Sequence, residues 1–472
     1  MGGEAYEEVE QSTGPEPLIS KEKQEETGLI YPQSSWKGFL KEHAGPSLVW
    51  ALLGIGGSHI VLSPTLGGAF GIFAIWVLGF IYLVKYGAWD LGIRYNYATG
   101  KRLISGYSGI PGPNNWAVWV SLLAIVNATI FNTAAVGISA SAFATVGIPL
   151  DLIPMYTALL VVTGAILILT DYGWLERFLL MFVILLVGLI LLAVLAGPPS
   201  TAVISETVFN VGALSDPLFI ALFASAAGLA PTALSSSLML SSWSIAKNGG
   251  AKEVDKDNAD ITQKQYDEYV SRWLQTGLRE FRIGYVFSFV LIISLALLSA
   301  NILYPDPPAD EDLALTIGQI LSGTFGQWSF YVVVLGAFAA LWSTVIAQLD
   351  GGSRALLEIV DELADSIPSI RSAVGENPTT ERANKVVVVL FLIASALPVI
   401  AFGGVPVTLV ILFGVSLVVL EFFIYPANLY IVRSNLPKKF QPSKATMGYY
   451  VAGILLMLLF AFIGAADTTG VL

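Results

Sequence analysis

The chain has 472 residues, of which 55% are apolar and only 12% charged, whereas soluble domains carry about 25% charged residues. It has no cysteine, which excludes disulfides, thiolate metal sites and thiol catalysis, and it has only two histidines. The net charge of −11 argues against a nucleic-acid partner. The sequence contains no nucleotide-binding loop or hydrolase motif. We therefore expect no enzyme, no cofactor and no ATP-driven transport by this chain alone.

The apolar residues come in runs of roughly 20, the length that crosses a lipid bilayer. This pattern predicts an all-α polytopic membrane protein with eleven transmembrane spans. Numbered in chain order, the predicted spans are 46–68, 70–96, 115–146, 151–170, 175–196, 216–245, 283–304, 328–349, 386–402, 405–430 and 446–466.

The segments between the spans differ in character. Residues 1–44 are polar and acidic, which predicts a mostly disordered tail with a short interfacial helix near Trp36 and Phe39. Two links, 246–281 and 353–368, contain amphipathic stretches. We expect these stretches to lie along the membrane surface or to pack beneath the helical bundle.

The positive charges predict the orientation of the chain. Lys and Arg lie in the tail, in the links after spans 2, 4, 6, 8 and 10, in the inner half of span 2 or at the start of span 5. The links 197–215 and 305–327 on the opposite side contain none. Because positively charged loops stay in the cytoplasm, we predict a multi-pass protein of the cell membrane with a cytoplasmic N-terminus and an external C-terminus.

Spans 1 and 6 are interrupted near their middle. Span 1 loses its apolar helical pattern at GIGGSH (54–59), and span 6 loses it at AAGLAPT (226–232). A broken helix in a bilayer frees backbone groups, and two such breaks in corresponding positions indicate the substrate site of a transporter. The alternative is a pair of glycine-rich helices that simply pack closely against their neighbours.

Two opposite charges lie at similar predicted depth, Lys85 in span 2 and Glu421 in span 10. An unpaired charge within a span costs at least about 2.5 kcal/mol, so we predict that they pair directly or through water. The pair would be either structural or part of a gate. Alternatively, Lys85 pairs with Asp90 or extends to the membrane interface.

Several short segments carry a family resemblance. They are Gly45-Pro46, GGAFG (67–71), ATGKRL (98–103), Gly137, GIPL (147–150) and Leu175-Glu176. Together they resemble the Nramp (natural-resistance-associated macrophage protein) family of divalent metal transporters. The resemblance implies the LeuT-like fold of the amino acid–polyamine–cation superfamily, with two inverted five-helix repeats and discontinuous helices 1 and 6. The repeats would cover 45–200 and 201–434, followed by an additional helix within 435–472.

The chain departs from the family at its signature motifs. The metal-binding motif Asp-Pro-Gly-Asn falls on GGSH (56–59), so Gly56 replaces the aspartate and His59 the asparagine. The second motif, Met-Pro-His, falls on APT (230–232), so Ala230 replaces the methionine whose sulfur favours transition metals. The Nramp-related magnesium transporters also carry alanine there. The chain therefore looks like a divergent member without the usual metal-binding motifs.

The acidic pair of the family's helix 3, implicated in its proton route, falls on Phe131 and Ala134. The helix 6 histidine, implicated in the same route, falls on Thr232. The resemblance therefore implies the fold, but it implies neither the metal specificity nor the proton coupling.

We place the substrate between the two breaks. The candidate binding residues are Gly56, Ser58, His59, Ala227, Ala230 and Thr232. They offer one imidazole, two hydroxyls and freed carbonyls, but no carboxylate. Either an ion keeps most of its water there, or a carboxylate such as Glu421 reaches the cavity, or the substrate is not a metal. For His59 itself, three roles are open: metal ligand, proton carrier and polar filler.

These observations predict a secondary transporter of the Nramp family. It would move a divalent metal cation, such as a hard Mg- or Mn-like ion, by alternating access. One alternative is a permease for a small organic solute such as an amino acid, because the N-termini of broken helices bind carboxylates. The other alternative is a non-transporting membrane receptor or scaffold, which the long inner links would allow.

Overall fold

The computed structural model describes residues 16–43, 50, 53–146, 148–169, 173–255, 259–308, 313–404 and 406–468. All regular secondary structure in these ranges is helical, as predicted. Gly45-Pro46 and the glycine of the GIPL segment lie outside the described residues.

The helices follow the order of the predicted spans and are labelled α1 to α11. Three of them, α1, α6 and α10, consist of two consecutive helices each. Their bounds are α1 Ile55–Leu62 with Ser63–Phe70, α2 Phe73–Thr99, α3 Trp116–Thr145, α4 Leu152–Leu169, α5 Gly173–Ala196, α6 Pro217–Leu229 with Ser236–Ala246, α7 Gln263–Ile302, α8 Gln327–Ser366, α9 Glu381–Phe402, α10 Pro406–Glu421 with Ile424–Asn435, and α11 Lys444–Thr468.

Eight helices among the described residues are long and apolar enough to cross a membrane. A ninth is added if Met181–Ala196 and Thr201–Thr207, which meet at 96°, count as one broken span. The two halves of α1 and of α6 are each too short to cross a membrane alone. A multi-pass membrane protein is therefore supported, and the count of eleven spans stays a prediction.

The bundle has central and peripheral helices. In their most apolar windows, 67% of the residues of α2 and of α3 are buried, against 28% in α4 and in α9. Helices that are apolar all round but half exposed suit a lipid environment. Three pairs are in contact: α2 with α7, α3 with α8, and α1 with α6. These pairs match equivalent positions of the two predicted repeats, whose boundaries stay a prediction.

Among the described residues of the long inner links, the two amphipathic stretches do not form separate helices, although a short helix, Pro368–Val374, follows the second stretch. The stretches instead continue α7 and α8, which are 40 residues each and thus about 60 Å long, twice the thickness of the hydrocarbon core. Trp273 of α7 and Leu363 of α8 are buried. The helices run on because their apolar stripes dock onto the bundle, a long-range effect that the link sequences do not reveal.

The structure describes residues 16–43 of the tail, and the expected disorder of most of the tail stays a prediction. This segment forms two short helices, Lys21–Thr27 and Trp36–Glu42, the second at the place where a short helix was predicted. The segment docks on the extension of α7, where the Tyr31 hydroxyl donates to the Glu268 carboxylate at 2.8 Å. Apolar and aromatic contacts with α7 therefore hold this segment against the bundle.

Ion pairs join the segments that the charge pattern places on one side of the membrane. They connect the tail, the links after α2 and α6, and the extension of α8. The pairs are Lys23–Asp260 at 3.1 Å, Lys101–Glu253 at 2.9 Å and Arg102–Glu358 at 3.0 Å. These segments therefore share one face of the bundle, and its assignment to the cytoplasm stays a prediction.

Span 10 is present as one candidate span, Val407–Asn435, and its helix has a short local interruption. Its two helices are interrupted at Phe422 and Phe423, directly after Glu421. Pro426 explains the interruption, because it has no N–H to donate to the carbonyl of Phe422 and its ring clashes with that carbonyl. The proline was a signal in the sequence that our span prediction did not use.

Candidate functional site

The break in α1 lies directly against the break in α6. Residues Ile55–Leu62 form π-helical turns, and Gly56 leaves the helical region with φ −63° and ψ −111°. A Cβ on Gly54 would lie 2.6 Å from the carbonyl oxygen of Pro231. Only glycine allows the two backbones to approach this closely. The two breaks are therefore in direct contact, as the proposed position of the substrate between them requires.

The break in α6 exposes carbonyl groups. The first helix ends at Leu229, Ala230 is extended with φ −92° and ψ 137°, and the second helix starts at Ser236. The helical partner of the Ala227 carbonyl would be the N–H of residue 231, which proline lacks. The end of the first helix therefore presents carbonyl oxygens that need donors from elsewhere.

Ser58 and His59 satisfy the break in α1 from within. The Ser58 hydroxyl lies 2.8 Å from the Gly54 carbonyl oxygen and 3.2 Å from that of Pro231. His59 is fully buried, with Nδ1 2.6 Å from the Gly54 oxygen and Nε2 3.0 Å from both oxygens of Ser288. Both ring nitrogens therefore contact protein groups, which favours the polar-filler role of His59 over the metal-ligand role.

Two partners of His59 were missed by the sequence analysis. Ser288 of α7 contacts the imidazole, and the Tyr82 hydroxyl of α2 lies 2.7 Å from the Ser288 hydroxyl and 3.3 Å from Nε2. Polar side chains within apolar spans are expected to bond between helices. That rule indicates that such residues have partners, but it does not indicate which ones.

Lys85 binds the break in α6. Its ammonium group donates to the carbonyl oxygens of Ala227 at 3.0 Å, Gly228 at 2.8 Å and Thr232 at 3.1 Å, and the side chain is fully buried. All three ammonium hydrogens thus have an acceptor. The ammonium group therefore binds Ala227 and Thr232, two of the residues that we predicted to bind the substrate.

Glu421 lies at the same break. Its Oε2 accepts a hydrogen bond from the backbone N–H of Ser235 at 3.0 Å, while Oε1 is buried without a hydrogen-bond partner. The predicted direct ion pair is absent, since Lys85 and Glu421 do not approach within 4.0 Å. Instead the two charges bind different parts of the α6 break, and their pairing through water stays a prediction.

The predicted site residues divide into two groups. Ser58, Ala227 and Thr232 converge on the α6 break through Pro231 and the Lys85 ammonium. Gly56 instead faces α8, where its Cβ would lie 2.8 Å from the Thr344 hydroxyl. Ala230 is fully buried, and its N–H donates to the Ala226 carbonyl at 2.7 Å, closing the last helical turn.

A chain of amides joins α3 to α8 beside the breaks. Asn132 donates to Gln348 at 2.9 Å, and Gln348 donates to the Thr129 hydroxyl at 3.2 Å. At the positions of the family's acidic pair, Phe131 stacks on Phe413 and Ala134 is buried. No titratable group therefore stands at those two positions.

The described residues contain no cluster of three or more His, Cys, Asp or Glu side chains that could hold a metal ion. The donors around the breaks are therefore mainly carbonyl and hydroxyl oxygens. Such oxygens suit hard cations that keep part of their water, and they do not suit a soft transition metal.

Comparisons with known proteins agree with this architecture. An uncharacterised protein of Pasteurella multocida is 26% identical over 336 residues, which covers 66% of this chain and 69% of that protein. Two crystal structures of the Eremococcus coleocola manganese transporter are similar at 11% identity, which shows the fold alone. The structure of a mutant has a TM-score of 0.63 and covers 91% of this chain and 86% of that one. The complex with an aromatic bis-isothiourea compound has a TM-score of 0.64 and covers 92% and 87%.

The sequence matches the model of the "natural resistance-associated macrophage protein-like" family over residues 48–466. This range includes both breaks and nearly all of the described bundle. The fold is accordingly the LeuT-like one that the resemblance implied. The chain belongs to the Nramp-like family.

Proposed function

We propose that this protein is a secondary transporter that moves a metal cation across the membrane by alternating access. The substrate would pass between α1 and α6, and it would be a hard divalent ion of the magnesium or manganese type. The observation that carries the proposal is the direct contact of the two broken helices at Gly54 and Pro231 within a chain of this family. Broken helices of this kind form the substrate sites of secondary transporters.

The donor chemistry supports a hard, largely hydrated ion. Ser58 and Thr232 supply hydroxyls, Ala230 supplies no sulfur, and both nitrogens of His59 are already in contact with protein groups. A hydrated ion can bind carbonyls and hydroxyls through its own water, so it needs no carboxylate in direct contact. The substrate would therefore resemble that of the magnesium-transporting relatives more than a soft transition metal.

One observation favours a second candidate, a small organic anion such as an amino acid carboxylate. The Lys85 ammonium lies at the α6 break, where it would repel a divalent ion. At 4 Å and an effective dielectric constant of 20, that repulsion is about 8 kcal/mol before Glu421 offsets it. A carboxylate would instead be attracted to the ammonium.

Binding and uptake measurements separate these candidates. Purified protein would be screened by thermal shift against Mg²⁺, Mn²⁺, Ca²⁺ and a set of amino acids, and uptake would be followed in proteoliposomes. A true ligand at one hundred times its Kd stabilises the protein by about 2.7 kcal/mol. Ser58→Ala should weaken binding of the substrate, whereas Ser105→Ala, at an exposed serine, should leave it unchanged.

The outcomes are distinct. Stabilisation and uptake of a divalent ion support the metal transporter. Stabilisation and uptake of an amino acid alone support the organic-anion permease. If nothing is taken up under any gradient, the receptor or scaffold alternative takes over.

The orientation is part of the proposal. We expect single cysteines, introduced into this cysteine-free chain, to be labelled from outside at positions 310 and 470, which lie outside the described residues. Cysteines at positions 255 and 375 should be labelled only from inside. Labelling of position 255 from outside would overturn the proposed topology.

A further inference from the structure

The site that holds the Lys85 ammonium is built from backbone carbonyl oxygens that depend on a cation for these hydrogen bonds. Ala227 and Gly228 lie in the last turn of the first α6 helix, and Pro231 removes the donor that the Ala227 carbonyl would otherwise have. Thr232 supplies the third carbonyl from the extended stretch that follows. Without the ammonium, these buried oxygens would lack these hydrogen bonds, which destabilises the folded protein.

Glu421 supplies the countercharge. Its carboxylate is 2% exposed, receives the Ser235 N–H through Oε2 and leaves Oε1 buried without a hydrogen-bond partner. Lys85 comes from α2 and Glu421 from the interruption of α10, so neither belongs to the helix that they bind. One positive and one negative side chain from other helices thus bind different parts of the α6 break, which carries no charged side chain of its own.

We propose that the carbonyls of Ala227, Gly228 and Thr232, together with Glu421, form a binding site for a singly charged cation, which Lys85 fills as a tethered ammonium ion. The ligand class is a small monovalent cation with three coordination or hydrogen-bond positions, such as ammonium, a primary alkylammonium or an alkali ion. The single countercharge of Glu421 matches one positive charge. The natural protein therefore needs no diffusible ion at this break.

This inference goes beyond the transported substrate and does not depend on its identity. It concerns a resident cation at the α6 break, whether the cargo is a metal ion or an organic anion. It predicts that removal of the ammonium creates a dependence on monovalent cations that the natural protein lacks.

The test is chemical rescue of full-length Lys85→Ala. The alanine retains Cβ, so the atoms removed correspond to propylammonium. Thermal unfolding would be measured at constant ionic strength in propylammonium, ammonium, sodium or potassium chloride, with N-methylglucamine chloride as the bulky reference. We expect propylammonium or another small cation to raise the midpoint of Lys85→Ala by about 2 °C or more, and the wild type to show no such dependence.

Two control variants sharpen the result. Lys101→Ala removes an exposed lysine that pairs with Glu253, and it should show no cation dependence. Lys85→Ala combined with Glu421→Gln keeps the carbonyls but removes the countercharge, so it should respond less to every cation. An equal response of the double variant would overturn the role of Glu421.

The inference fails if Lys85→Ala unfolds at the same midpoint in every small cation as in N-methylglucamine. If the variant is not recovered from cells under ordinary conditions, purification with propylammonium throughout supplies the second measurement. Recovery only with propylammonium or ammonium supports the site. Equal failure with propylammonium, ammonium and N-methylglucamine overturns it.

Discussion

The two broken helices meet at the centre of the bundle, but they are stabilised in different ways. The break in α1 is satisfied largely from within, because Ser58 and His59 both contact the Gly54 carbonyl four or five residues earlier. The break in α6 depends on the Lys85 ammonium from α2 and the Glu421 carboxylate from α10. One break therefore carries its own polar partners, and the other receives them from distant helices.

This difference has an energetic consequence. Polar partners in α1 are neutral groups, each worth about 1 kcal/mol net in a folded protein. The partners of α6 are buried charges, and the loss of one leaves the other uncompensated. The α6 break should therefore be the more sensitive to single substitutions, and the following predictions test that ranking.

The largest expected effect is at the two charges. Lys85→Met and Glu421→Gln should each destabilise the protein by about 3–5 kcal/mol, because each leaves a buried charge uncompensated. The double variant should cost less than the sum of the single variants, since it leaves no net charge behind. Unfolding in detergent, followed as a double-mutant cycle, measures this coupling. Strict additivity would show that the charges do not interact.

The next effect tests the tight backbone contact of α6. A Cβ on Gly228 would lie 1.9 Å from the carbonyl oxygen of Gly414, so Gly228→Ala should destabilise by about 1–3 kcal/mol or more. The matched control is Gly79→Ala, where a Cβ meets nothing within 4 Å. That control should be neutral or slightly stabilising, because alanine favours a helix over glycine. Equal unfolding midpoints of the two variants would refute the close contact.

The corresponding substitution in α1 is His59→Ala. It leaves the Gly54 carbonyl and the Ser288 hydroxyl without the imidazole, which should cost about 1–3 kcal/mol of stability. We expect the affinity for divalent ions, measured by calorimetry, to change less than tenfold, or about 1.4 kcal/mol. A loss of affinity greater than tenfold with an unchanged unfolding midpoint would restore His59 as a metal ligand.

The smallest expected effect comes from adding a charge to α1. Gly56→Asp returns the carboxylate of the family motif, but its Cβ would lie 2.8 Å from Thr344, so Thr344→Ala is included to make room. The double variant should bind divalent ions about tenfold more tightly than Thr344→Ala alone, a gain of about 1.4 kcal/mol. If only the double variant binds divalent ions at all, the organic-anion candidate is favoured.

The sequence by itself determined the class of the protein and the position of both breaks. Composition and run lengths indicate a membrane protein, because a bilayer requires long apolar helices. The glycines at 54, 56 and 57 and Pro231 locate the interruptions, since these residues act on their own backbone. Pro426 carried the same kind of local signal for α10. Family resemblance then placed the motif positions on residues 56–59 and 230–232.

Only the tertiary structure decided which groups satisfy the breaks. Lys85 and Glu421 lie 336 residues apart along the chain. Their similar depth along the spans indicates that the two residues lie near each other. The helix face on which each residue lies, and the length of its side chain, determine that Lys85 binds carbonyl oxygens of the α6 break instead of the Glu421 carboxylate. The contacts of His59 with Ser288, and the docking of residues 16–43 on α7, also join distant segments. Such contacts depend on how helices pack against each other, and a pattern along one helix does not contain that information.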